Sequence, residues 1–161
     1  MGPLPDFVSF AQNDGGYFAD ERAYKNKLIE QAAAAMTGEA NEVILGARLL
    51  DLLTGRGGVR SGLLGWRTDG RLVALWASHP GGLEQAAGRL ARAEEVDKAI
   101  AEFVVATWPV LVEGQASKPY SESCNLPTML AALSHPNRAF GINTDPIQLT
   151  AEALVGRKLL G

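Results

Sequence analysis

The clearest pattern in the sequence is an alternation of apolar and charged residues with helical spacing from Gly82 to Pro109. The apolar positions recur at steps of three and four, which places them on one face of an α-helix: Leu83, Ala87, Leu90, Ala93, Val96, Ile100, Phe103 and Thr107. Charged residues follow the same rhythm on the opposite side: Arg89, Arg92, Glu95, Lys98 and Glu102. The pattern predicts one long amphipathic helix. We expect a Glu94–Lys98 pair on it, a bend or close crossing at Gly88, and an end or kink at Pro109, whose ring removes a backbone N–H.

Two further helices are predicted before this one. Residues 17–37 carry one apolar face, and Gly38 is a natural stop; the face comprises Phe18, Tyr24, Leu28, Ala32 and Ala35. Residues 39–54 form the second helix, closed by Gly55, and its inward positions are expected to be Val43, Ala47, Leu50 and Leu53. The short connection between them predicts antiparallel neighbours.

Two apolar runs between residues 63 and 77 flank Thr68-Asp69-Gly70, which favours a β-hairpin. The alternative for the second run is a short helix capped by Asp69.

Nearer the C-terminus, a short helix is predicted over residues 127–134, with Pro127 at the permissive first position, and a last helix up to Leu160 is opened by Asp145 and Pro146. The expected fold is therefore mainly α: an N-terminal arm, residues 1–16, and a single-domain bundle of about five helices, residues 17–161.

Composition narrows the class of protein. An apolar share of 47% and a charged share of 20% are ordinary for a globular chain, and the net charge of −3 argues against nucleic acid as a partner, apart from a local basic patch from Arg48 to Arg71. One cysteine and two histidines are too few for an intrachain disulfide or the usual zinc clusters, so we expect no metal and no cofactor. No signal peptide or transmembrane segment is recognisable, which favours the cytoplasm or an assembled particle.

Two polar segments, residues 114–126 and 135–144, are predicted to be loops that meet around the short helix. In an enzyme or ligand-binding domain, Tyr120, Cys124, His135 and Arg138 would converge there, with Cys124 as nucleophile and His135 as its base. The alternatives are an inert cysteine and a histidine that merely ends a helix. His79 stands in the same Ser-His-Pro phrase as His135, so a converging histidine pair is a further hypothesis.

The glycine-rich segment 55–62 offers a possible anion cradle built from Arg56, Gly57, Gly58, Arg60 and Ser61. It lacks the Gly-Lys-Ser/Thr of a phosphate-binding loop, and a flexible connector is the competing interpretation.

Several aromatic residues are candidates for a protein interface. Phe7 and Phe10 lie in the N-terminal arm, whereas Trp66, Trp76 and Trp108 belong either to the core or to an interface. Because no catalytic motif is present, we predict a non-catalytic interaction or assembly protein, a subunit of a homo- or hetero-oligomer such as a virion, a secretion machine or a chaperone. The alternative is the small enzyme or ligand-binding domain above.

Overall fold

The computed structural model describes residues 17–56, 63–64, 72–74, 76–112 and 119–141. Five helices of at least 11 residues lie in these ranges: α1 (Tyr17–Gly38), α2 (Glu42–Leu53), α3 (Gly82–Arg92), α4 (Val96–Val112) and α5 (Pro119–Ser134). The predicted mainly α class is confirmed. The predicted N-terminal arm and last helix lie outside the described residues.

The closest packing in the fold is between α2 and α3, which cross at two glycines. Gly46 of α2 lies against the backbone of Glu84, and Gly88 of α3 lies against the backbone of Glu42. The early part of one helix thus faces the late part of the other, so the two run antiparallel. A Cβ at either glycine would overlap a main-chain carbonyl of the neighbouring helix. The close crossing predicted at Gly88 is confirmed.

The core consists largely of leucines from α1, α2, α3 and α5, to which α4 adds Val96, Ala99 and Phe103. Among the leucines are Leu28, Leu45, Leu49, Leu53, Leu90 and Leu130. On α2 the predicted inward residues Leu50 and Leu53 are buried, whereas Val43 is exposed and was predicted wrongly. Apolar residues cover most of this helix, so periodicity alone does not choose its inner side. Gly46 faces α3 at the crossing, and Leu50 and Leu53 lie on the same side of α2 as Gly46.

The predicted long helix is broken. Ala93 takes an extended conformation with ψ of 135°, and residues 93–95 form a turn between α3 and α4. The Glu94–Lys98 pair therefore does not form; Lys98 lies 3.9 Å from Glu102 instead. Pro109 lies inside α4, which continues to Val112. The predicted faces nevertheless hold, since Leu83, Ala87, Leu90, Val96, Phe103 and Thr107 are buried and the five charged residues are exposed.

The favoured β-hairpin is wrong in its second half, because residues 72–74 and 76–78 are helical. Leu72 is buried, Ala74 is exposed and Trp76 is half-buried against the core. A strand would turn positions 72, 74 and 76 to the same side, whereas a helix brings together only positions 72 and 76. The packing of Leu72 and Trp76 against the core thus explains why this segment is helical, as the alternative prediction had it.

The polar loop predicted at 114–126 is also wrong in part, because α5 begins at Pro119. Pro127 lies within that helix and is fully buried beside Leu126 and Leu130. The burial of the ring offsets the hydrogen bond that proline removes from a helix interior. Across the described residues, no helix combines the length and apolar character that crossing a bilayer requires.

Candidate functional site

Two side chains that follow α5 bind the turn between α3 and α4. The His135 ring nitrogen Nε2 lies 3.1 Å from the carbonyl oxygen of Leu90, to which it donates as the Nε2–H tautomer. Arg138 donates to the carbonyl oxygen of Glu94. Both acceptors flank the break at residues 93–95, and the carbonyl of Leu90 also accepts from the N–H of Ala93 at 3.3 Å. The two side chains therefore hold the turn in place.

The predicted catalytic group is spread along one helix. Tyr120 and Cys124 belong to α5 and His135 follows its last residue, so at 1.5 Å per residue their backbones lie about 22 Å and about 16 Å from that of His135. The side chains of residues 119–124 are not among those described. Helical spacing thus works against the Cys124–His135 dyad, and the described polar atoms of His135 and Arg138 bind main-chain carbonyls.

The two histidines also lie at opposite ends of α3. His79 precedes the first residue of α3, and its Nδ1 lies 3.0 Å from Ser78 Oγ. His135 contacts Leu90 near the last turn, about 13 Å further along the helix axis. Both positions fit the prediction that each histidine stands at a helix end.

The described part of the predicted anion site is occupied by an aromatic ring. The guanidinium of Arg56 lies over Trp76, 5.4 Å from the ring centroid, in a cation–π contact. Gly57, Gly58, Arg60 and Ser61 lie outside the described residues. Arg48, which begins the predicted basic patch, lies 3.4 Å from Glu39.

Glu84 is the centre of a buried polar cluster that sequence reasoning missed. Its side chain is 8% exposed. Oε1 accepts a hydrogen bond from Trp76 Nε1 at 2.5 Å, and Oε2 accepts one from the backbone N–H of Gly81 at 2.7 Å. The second bond caps the start of α3, where the helix dipole also favours a carboxylate. The signal in the sequence was a Glu three residues after a Gly-Gly turn, and it indicates a cap rather than a ligand.

A groove of about 160 Å³ runs between α3 and α4. The apolar residues among those that line it are Ala86, Leu90, Ala93, Ala99, Phe103 and Ala106. Gly82 at the start of α3 and Ala106 late in α4 share this groove, so α4 folds back along α3.

Large apolar side chains are exposed at several positions. Phe140 is 77% exposed and Val105 is 76% exposed, and Ile44 on α2 is 44% exposed. Sequence reasoning missed Phe140 and Val105 as interface candidates. Of the predicted interface residues, Trp76 and Trp108 are half-buried, and Phe7, Phe10 and Trp66 lie outside the described residues.

One ion pair on α1 shifts the pKa of a carboxyl group. On α1, the Lys25 ammonium hydrogen-bonds Glu21 at 2.9 Å and lowers the pKa of that carboxyl below its ordinary value. Since the folded pKa is the lower one, this small stabilisation is present above the ordinary pKa and is lost as the pH falls. Over the ranges given above, no three His, Cys, Asp or Glu side chains are grouped to bind a metal.

No model of a known protein family, no curated protein and no solved structure matches this chain.

Proposed function

We propose that this chain is a non-catalytic assembly protein, a helical subunit that acts by binding other copies of itself or other proteins. The observation that carries the proposal is the exposure of Phe140 and Val105, each more than three-quarters accessible to water. Apolar side chains of this size are commonly covered when they belong to a protein interface.

The roles of the polar side chains support the same function. His135 and Arg138 bind main-chain carbonyls, Glu84 caps α3, and Arg56 stacks on Trp76. Each of these groups stabilises the arrangement of the helices. None is paired with a second ionisable side chain in the manner of a nucleophile and its base.

The experiment is a light-scattering measurement of solution mass over a concentration series of the full chain. We expect the mass to rise with concentration. The double variant Val105→Ser/Phe140→Ser should associate at least tenfold more weakly, because apolar anchors contribute much of the binding free energy of an interface. Ala101→Ser changes an exposed position of the same helix and should leave association unaltered.

Two outcomes would contradict self-association through these side chains. A mass equal to that of one chain at every concentration would exclude self-association over that range. Equal association of the double variant and the Ala101→Ser control would exclude Val105 and Phe140 as the contact. A variant without residues 1–16 then tests whether the predicted N-terminal arm contributes to the association.

A further inference from the structure

The residues of the turn between α3 and α4 have high helix propensity, yet they are not helical. Residues 93–95 read Ala-Glu-Glu, which are strong helix formers, and neither glycine nor proline interrupts them. Ala93 is nevertheless extended, and the helix stops at Arg92. A conflict of this kind between local preference and fold marks a place where a second conformation lies close in free energy.

The apolar face continues in register through the turn. Leu90, Ala93 and Val96 follow one another at steps of three, and Phe103 continues the series on α4. A straight helix over residues 82–112 would therefore carry one unbroken apolar face, about 46 Å long at 1.5 Å per residue. The face that covers the core in the folded-back form is thus kept in the straight form.

The hydrogen bonds that hold the turn compete directly with a straight helix. In that helix the carbonyl of Leu90 would accept from the N–H of Glu94, and the carbonyl of Glu94 would accept from the N–H of Lys98. In the folded-back form the carbonyl of Leu90 accepts from His135 and from the N–H of Ala93, and the carbonyl of Glu94 accepts from Arg138. The two side chains therefore act as locks on the closed turn.

We propose that residues 93–95 are a hinge at which two copies of this chain exchange α4 and α5, forming a domain-swapped dimer. The hinge becomes helical, and α4 and α5 of each copy pack on α1, α2 and α3 of the other. The two exchanged helices pack on each other, so they move as a unit. The swapped dimer re-forms the closed monomer's contacts between chains, and short hinges favour such exchange.

This inference rests on the proposal that the chain acts through association, and it identifies the partner as a second copy. The test measures the dimerisation constants of variants of the full chain after they are unfolded and refolded at high concentration. Glu94→Ala and Glu94→Gly remove the same carboxylate. Alanine has the higher helix propensity, so it favours the helical form of each hinge by roughly fivefold in equilibrium constant over glycine. With two hinges, the dimerisation constant of Glu94→Ala should exceed that of Glu94→Gly by roughly 30-fold.

A second pair of variants tests the lock. Arg138→Ala removes a donor that only the closed form uses, so it should raise the dimer fraction by several-fold. Arg89→Ala removes an arginine whose ion pair with Glu42 joins α3 to α2 within one copy. That contact is the same in both forms, so this control should leave the dimer fraction unchanged.

The conformation of the hinge is measured with spin labels at Gln85→Cys and Glu102→Cys, in a Cys124→Ser background. Both positions line the α3–α4 groove in the closed form. Labelled chains diluted into unlabelled ones report only the distance within one chain. In a straight helix that spacing is about 25 Å, from 17 residues at 1.5 Å each.

A dimer with the longer spacing and the expected order of variants would support the exchange. A dimer that keeps the short spacing, or that forms equally in Glu94→Ala and Glu94→Gly, would overturn it and leave association by surface contact standing. A chain that remains monomeric in every variant after refolding would overturn both the exchange and self-association.

Discussion

At the scale of single residues, Gly46 and Gly88 have the largest structural consequence. Neither has room for a methyl group, since the nearest atoms belong to the backbone of the facing helix and cannot rotate away. In the sequence Gly88 stands out as an interruption of a helical pattern, which indicated a close approach. Gly46 also lies inside a predicted helix, but the sequence does not say which glycine meets which helix, because that depends on how the two helices cross.

We predict that Gly88→Ala or Gly46→Ala lowers the free energy of unfolding by about 2–3 kcal/mol, as overpacking of a tight contact does. Gly82→Ala is the matched control, because its methyl group would enter open space at the start of the same helix. That variant should be neutral or slightly stabilising. Urea denaturation measures all three, and equal stability of Gly88→Ala and Gly82→Ala would contradict the crossing.

The indole of Trp76 and the carboxylate of Glu84 form a coupled pair. Trp76→Phe keeps a ring for Arg56 but removes the donor to Glu84. We expect it to cost about 1.5–3 kcal/mol, the usual range for a hydrogen bond to a charged group. A double-mutant cycle with Glu84→Ala should give a coupling free energy of about 1 kcal/mol. Additive effects of the two substitutions would show that the bond does not contribute.

At the scale of elements, helix α2 begins at a defined cap. The side-chain oxygen of Asn41 accepts from the N–H of Val43 at 2.9 Å and from that of Ile44 at 3.2 Å. Asn41→Ala should lower the free energy of unfolding by about 1 kcal/mol, whereas Asn41→Ser keeps an acceptor and should recover most of it. If serine is as destabilising as alanine in thermal unfolding, the cap is not the source of the effect.

Helix ends were harder to predict than helix faces. The buried positions of α3 and α4 follow the apolar period almost throughout, yet the period gave no warning of the turn at Ala93. Apolar periodicity shows which side of a helix is apolar. The pattern is the same whether the helix continues straight or is followed by a turn and a second helix. The same limit explains α5, whose polar first two turns resemble a loop.

At the scale of the whole molecule, one set of contacts can serve folding and association together. The contacts of α4 and α5 with α1, α2 and α3 form within one chain. In the exchange proposed above, the same contacts form between two chains. What distinguishes the two forms is confined to residues 93–95 and to the donors His135 and Arg138.

The candidate site shows a similar division. Sequence reasoning selected His135 and Arg138 as chemically important, and both do make long-range contacts. In the alternative function, an enzyme or ligand-binding domain, it grouped them with Tyr120 and Cys124, because residues in adjoining loops were expected to meet. The helix from Pro119 separates these residues instead.

The sequence by itself determined the helical class, most of the buried positions, and the stop at Gly55, where a positive φ of 71° suits glycine. These features depend on residues that are close together in the sequence, so the local spacing of residue types is enough to predict them. Only the tertiary structure decided the glycine crossing of α2 and α3, the turn at residues 93–95, and the exposure of Phe140 and Val105. Each of these depends on atoms more than 30 residues apart or on the shape of the whole surface, and no local pattern contains that information.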